Sequence, residues 1–326
     1  MECYNAGMRI RLLVCLIGVV SLAGLLYAQG PTVVPQNTQT AGQIDVNVLN
    51  VPLMVLVTDS KGKLITNLTR DDFRIYEDDK PQAIRNYVRE TDLPLSIALL
   101  VDSSGSVIEQ IKFEQAAAID FFFNTMKRRK DRGTVIGFDS VPRVLSNEST
   151  DGFTDEPERL ADAVRKIKAG GGTAVFDAIY GAVRNMLSKE SGERRRLVIL
   201  ISDGDDTASK RSKTEALEMA QRHDTTIYAI STNKTSDTKS REKVRGDDVI
   251  KQLVEETGGK AYFPLKLDDL ASDFQKIGEE LRSQYVVSYA PTNQNLDGTY
   301  RRIRVEIVNK KYTARTRQGY FASRGN

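Results

Sequence analysis

Between Leu93 and Arg282 the chain alternates short apolar runs with longer amphipathic stretches. The runs are SIALLVD (Ser96 to Asp102), GTVIGFD (Gly133 to Asp139), RLVILISD (Arg196 to Asp203) and TTIYAIS (Thr225 to Ser231), with KAYFPL (Lys260 to Leu265) as a further one. Helical spacing fills the intervals: Val107 to Arg129, Pro157 to Lys168, Val175 to Lys189, then SKTEALEMAQRH, DDVIKQLVEET and LDDLASDFQKIGEELRS. Strands that are apolar without alternation must be covered on both faces, and crossover helices do that in a parallel sheet. The pattern predicts an α/β fold with a doubly wound, mostly parallel sheet. VPRVLS (Val141 to Ser146) follows the second run at once and suits an antiparallel edge hairpin. The basic run Lys127 to Lys130 is expected to close the first helix, where positive charge complements the helix dipole.

The flanks read differently. Alternating residues such as Val46, Val48, Val55 and Val57 surround the turn DSKGK, and FRIYEDDKPQAI forms a second hairpin. The acidic runs at Asp71 and at Glu77 to Asp79 are expected to be solvated turns. After Arg282, QYVVSYAP, YRRIRVEIV and YTARTRQGYF return to strand patterning. Arg301, Arg302 and Arg304 are expected to face solvent on one strand face. Neither flank has enough strands to bury a core alone. Together they predict a discontinuous β-sandwich-like domain made of residues 44–92 and 284–326, interrupted by residues 93–283.

Arg9 and Arg11 precede the apolar run Leu12 to Ala28, which ends in small residues. A basic start, an apolar centre and a small-residue end are expected to be a secretory signal over residues 1–28. Left uncut, the same segment would be a membrane anchor, and no other contact with membrane is expected. The polar residues 29–43 then read as a tether. The expected location is exported, either periplasmic or extracellular at the cell surface. Cys3 and Cys15, the two cysteines, both lie in the signal segment. The remaining chain then has no disulfide, thiol catalyst or cysteine zinc site. A formal net charge of +3, with basic and acidic residues interspersed, gives no reason to expect a nucleic-acid partner.

Working residues of an open parallel sheet lie beyond the carboxyl ends of its strands. Three segments end there with oxygen-bearing side chains: Asp102-Ser103-Ser104-Gly105-Ser106, the loop GGGTAVFDA with Thr173, and ISDGDD with Asp203. Two carboxylates and three hydroxyls suit a hard cation such as Mg²⁺, Mn²⁺ or Ca²⁺. Two carboxylates roughly neutralise a divalent ion, and hydroxyls add ligands without charge. An acidic side chain from a partner can then complete the shell.

Asp-x-Ser-x-Ser at Asp102, Ser104 and Ser106, with Thr173 in GGT and Asp203 in SDG, resembles the metal-ion-dependent adhesion site (MIDAS) of von Willebrand factor type A (VWA) domains. The resemblance covers about Leu93 to Ser283, and implies a Rossmann-like fold. The flanks, LTRDDFRIYEDDKPQ and YRRIRVEI…RQGYF, are similar to bacterial secreted VWFA-related proteins of the acidobacterial type. The resemblance implies that Ser104 and Ser106 bind metal directly, that Thr173 joins them when ligand is engaged, and that Asp102 and Asp203 act mainly through water, or Asp203 directly when no ligand is bound. It implies a protein or extracellular macromolecule as partner, supplying Asp or Glu, and no catalysis.

Asp177, four residues after Thr173, is a candidate to orient the site from behind, or else an acid at a helix N-terminus. Asp205 and Asp206 are expected to be exposed turn residues. His223 follows a helix and is expected to end it. The polar loop Thr232 to Asp248 leaves a parallel strand on the metal face and is expected to shape partner choice. Two rivals remain: a metal-assisted hydrolase using the same cluster, and a scaffold packed constitutively in an envelope assembly. Oligomeric state is left open by the sequence.

Overall fold

The computed structural model describes residues 50–89, 93–105, 111–146, 151–191, 194–233, 241–266 and 269–322. The signal segment, the tether and Ser106 lie outside them. Residues from Asn47 onward form one compact unit.

Before the α/β part come β1 (Val51–Asp59), β2 (Phe73–Glu77), β3 (Lys80–Gln82) and β4 (Ile84–Val88). The α/β part runs β5 (Leu95–Asp102), α1 (Ile111–Thr125), β6 (Arg132–Phe138), β7 (Pro142–Val144), α2 (Pro157–Arg165), α3 (Val175–Asn185), β8 (Arg195–Ser202), α4 (Lys213–Arg222), β9 (Thr225–Ser231), α5 (Arg241–Thr257), β10 (Ala261–Tyr262) and α6 (Asp269–Leu281). Then follow β11 (Tyr285–Tyr289), β12 (Tyr300–Ile307), β13 (Tyr312–Arg315) and β14 (Gly319–Phe321).

The central sheet has the order β10-β9-β8-β5-β6-β7. All its pairings are parallel except that of β7, the antiparallel edge. Alternation along β5 sorts its side chains between two cores. Leu95, Ile97, Leu99 and Val101 pack with α1, α2 and α6. Ala98 and Leu100 face α3, α4 and α5. The chain leaves β5 for β6 on one side and later returns to β8 on the other, so the sheet changes direction of winding at β5. Crevices at such points are where open sheets hold ligands.

The flanks form two antiparallel sheets, β13-β1-β11-β4 and β14-β12-β2-β3. Each mixes strands from before and after the α/β part, as in the pairing of β1 with β11 and of β12 with β2. Alternate residues of these strands turn inward, and Leu53, Val55, Phe73, Ile75, Tyr285, Val287 and Ile303 share one core. The discontinuous β layer expected from the flanks is therefore present.

Four local expectations need correction. Arg301 does not face solvent: it is 1% exposed and pairs with buried Glu77. The strand's period of two puts Arg302 and Arg304 outside and Arg301 with Ile303 inside. Glu77 is correspondingly no solvated turn residue, and it accepts hydrogen bonds from Tyr289 and Tyr320. The run Lys127 to Lys130 lies beyond α1, which ends at Thr125, in a turn held by Asp131, whose carboxylate accepts the amide of Lys127. Finally, α5 begins at Arg241, not at Asp247. Arg241, Glu242, Lys243 and Arg245 are good helix formers, and the loop that remains is shorter than expected.

Candidate metal centre

Asp102 is the last residue of β5 and has no exposed surface. Its carboxylate is held on both oxygens. Oδ1 accepts the amide of Ser104 at 2.9 Å, and Oδ2 accepts the hydroxyl of Ser202 at 2.8 Å. Ser202, at the end of β8, in turn accepts the amide of Gly204 at 3.1 Å. Burial pushes the Asp102 carboxyl up to about 6, against these hydrogen bonds, and the charge of Asp203 adds to the rise. A carboxylate in such a place favours a cation beside it.

Ser104 is also buried. The turn after β5 is laced to the glycine loop that delivers Thr173: Gly170 N–H donates to Ser103 O at 2.6 Å, and Gly105 N–H to Gly171 O at 3.2 Å. Gly171 has φ +88°, and a Cβ there would press on Asp139. Thr173 is nearly buried at the start of α3. Its amide donates to the Thr207 hydroxyl, and its carbonyl accepts the amides of Thr207 and Ala208. The second and third segments are thus tied to each other as well as to the first.

Asp203 leaves β8 half-buried and accepts the amide of Asp205 at 3.1 Å. Its backbone carbonyl accepts the side-chain amide of Asn233 at 2.9 Å, and Asn233 also bonds Asp247, which Ser231 joins. Behind this, Gly204 and Gly246 meet backbone to backbone, and a Cβ on Gly246 would collide with the Asp203 carbonyl oxygen. The ends of the Thr232 to Asp248 segment therefore hold the Asp203 loop. Residues 234–240, on which the expectation about partner choice falls, lie outside the described residues.

Asp177 lies in the first turn of α3. Its carboxylate accepts the amides of Lys210 and Arg211, at 3.0 and 2.9 Å, and so anchors the chain that follows Asp203. Asp206 is not a free turn residue: it accepts the Ser209 hydroxyl at 2.6 Å and the amide of Phe176 near the start of α3. Asp205 is exposed. His223 ends α4, and its carbonyl accepts Arg196 from the start of β8, at the sheet end opposite Asp102 and Asp203.

The sequence reading missed one residue of weight. Glu114 on α1 is 0% exposed, and neither carboxyl oxygen has a hydrogen-bond partner among the described residues. Burial, then the charges of Asp102 and Asp203, push its carboxyl up to about 8. It thus keeps its proton at neutral pH when no cation is near. The signal was its spacing: Glu114 shares a helix face with Ala117, Ala118, Phe121 and Phe122, all buried. An acid on the core face of a helix is rarely left without a partner.

The donor set fits a hard divalent ion. Three loops laced by hydrogen bonds carry Asp102 and Ser104, Thr173, and Asp203, and the charges of Asp102 and Asp203 both act on the orphaned carboxyl of Glu114. Among the described residues no three of His, Cys, Asp and Glu form a metal cage, so hydroxyls would supply much of the shell.

The family model of the von Willebrand factor type A domain matches residues 96–279. No curated protein matches the chain. Solved structures with a similar fold include a von Willebrand factor type A protein from Catenulispora acidiphila, 14% identical over 77% of this chain and 63% of that one, with a TM-score of 0.48. This chain thus spans less than two thirds of that protein. Another is the vWF domain of the type V pili tip protein Mfa5 from Porphyromonas gingivalis, 13% identical over 58% of this chain and 95% of that one, TM-score 0.44. A third is proximal thread matrix protein 1 from the mussel byssus with a zinc-occupied MIDAS motif, 16% identical over 63% of this chain and 49% of that one, TM-score 0.47. The family match spans more than half of the chain and contains Asp102, Ser104, Thr173 and Asp203, and the chain belongs to the von Willebrand factor type A domain family.

Proposed function

We propose that this protein is an exported binding protein that engages an acidic side chain of a macromolecular partner through a divalent ion, and that it is not a catalyst. Asp102, Ser104, Ser106, Thr173 and Asp203 would hold the ion, with Mg²⁺ as the first choice and Mn²⁺ or Ca²⁺ as alternatives. The observation that carries this is Asp102: a fully buried carboxylate held on both oxygens at the sheet's winding switch, surrounded by hydroxyls. Bound there, the ion supplies a positive centre with room for one more anionic ligand. Asp102 and Asp203 would neutralise its charge and leave a partner's carboxylate to complete the shell. The laced loops hold the hydroxyls in place before the ion arrives, which lowers the ordering cost of binding.

A hydrolase would need a general base within reach of a substrate on the ion. His223 stands at the far end of the sheet, which favours the binding reading. Linkage supplies the test. If a carboxylate completes the shell, acetate and Mg²⁺ must strengthen each other's binding by the same factor. Calorimetric Mg²⁺ titration is expected to show several-fold tighter binding in acetate than in chloride at equal ionic strength. Equal affinity in both would count against the partner carboxylate. Phosphodiester turnover lost in Asp102→Ala would overturn the non-catalytic reading.

A further inference from the structure

At the other end of the parallel strands lies a cavity of about 100 Å³. Arg195 and Arg196 from the start of β8 line it, with Gln284 just before β11 and Thr316 and Arg317 between β13 and β14. Pro52 and Met54 of β1 and Thr225 of β9 also line it. It therefore sits where the β layers meet the α/β part.

Its polar atoms are unsatisfied in a concentrated way. Twelve buried side-chain nitrogens and oxygens among the described residues lack a hydrogen-bond partner. Six of them belong to residues lining this one cavity: Arg195 Nε and Nη2, Arg196 Nε, Arg317 Nε, Gln284 Oε1 and Thr316 Oγ1. The bonds these arginines do make go mostly to backbone carbonyls. Arg195 donates to Leu281 O at 2.5 Å, Arg196 to Glu190 O at 2.7 Å and His223 O at 3.2 Å, and Arg317 to Pro52 O at 3.0 Å. Carbonyls satisfy N–H groups but do not neutralise charge.

The charge is one-sided. Four arginines line the cavity, Arg194 being the fourth, against one acid, Asp224. Asp224 is half-exposed at the rim and pairs with Arg317. Arg194 is paired with Glu190, so among the described residues Arg195 and Arg196 remain without a carboxylate in contact. Burial lowers Arg195 and Arg317 only to about 10, so both stay charged at neutral pH. A buried guanidinium without a counter-charge is costly, and neutralisation by an anion offsets that cost. The planar fork of arginine matches oxyanions, to which it donates paired hydrogen bonds.

We propose that this cavity binds a small tetrahedral oxyanion of the phosphate or sulfate class, held by Arg195, Arg196 and Arg317 with the Thr316 hydroxyl. The volume is ample for one such ion. The ion joins the start of β8 to the C-terminal strands, and so clamps the α/β part to the β layers. The site is independent of the metal centre, which occupies the opposite strand ends.

The test is thermal unfolding and calorimetry of the whole chain in chelator, so that no metal-held anion contributes. Phosphate, sulfate, acetate and chloride are compared at equal ionic strength. Phosphate or sulfate at a hundredfold excess over its Kd is expected to raise the Tm of the wild type by about 5 °C over chloride. Arg317→Gln is expected to lose that shift. Thr316→Val, which removes one hydroxyl and keeps the shape, is expected to raise the Kd about tenfold. If Arg317→Gln does not fold, Thr316→Val decides. No difference between phosphate, sulfate and chloride in the wild type overturns the proposal. So does a shift that acetate matches, or one that both variants keep.

Discussion

Asp102 and Glu114 are two buried acids; burial raises the pKa of each when no cation is present, and the charge of Asp203 adds to both. Their folded pKa values are raised above the unfolded ones, so their contribution to stability is complete at low pH and is lost as pH rises. For Asp102 the loss falls between about 4 and about 6, and for Glu114 between about 4.5 and about 8. Chemical denaturation in chelator is expected to show stability falling from pH 5 to pH 8, by about 1 kcal/mol per pH unit for each group that is titrating. In Glu114→Gln the upper part of that fall is expected to vanish, and a profile identical to wild type would contradict the assignment. Ser202→Ala removes the donor to Asp102 and the acceptor of Gly204 N–H together. It is expected to cost about 1–3 kcal/mol of stability and to weaken metal binding, read by denaturation and titration. Asp102, Ser104, Thr173 and Asp203 were legible because each follows an apolar run or a glycine loop. Glu114 and Ser202 were not, since an acid within a helix and a serine within a strand look ordinary until burial is known.

Elements do the positioning, and α5 shows how. Its residue Gly246 lets the helix lie against Gly204 and the Asp203 carbonyl. Gly246→Ala is expected to push the Asp203 loop away, costing about 1–3 kcal/mol and weakening metal binding at the same time. Unchanged Mg²⁺ affinity in that variant would show that Asp203 does not depend on the contact. In the sequence, Gly246 amid charged residues reads as a loop, because glycine is the poorest helix former after proline. Tertiary contact overrides that preference here. The strands were legible almost to the residue, since uninterrupted apolar runs have few other fates. β10 shrinks to Ala261–Tyr262 because it pairs on one side only, at the sheet edge.

At the scale of the whole molecule, strands from both chain ends close one β layer across the inserted α/β part. That closure was readable from the shortage of strands in each flank, but not its internal pairing. Arg301 and Glu77 form a buried pair that Tyr289 and Tyr320 complete. Arg301→Ala strands the Glu77 charge and is expected to cost about 3–5 kcal/mol, measured by denaturation. Pairing of Arg301 with a residue more than two hundred positions earlier leaves no local trace in the sequence. The central claim concerns the ion, and calorimetric titration of the purified protein with Mg²⁺, Mn²⁺ and Ca²⁺, beside Ser104→Ala and Asp102→Ala, tests it most directly. The account predicts saturable one-to-one binding by the wild type and its loss in both variants, with thermal unfolding in chelator showing that they remain folded. Binding that both variants retain, or none by the wild type even with acetate present, would contradict it.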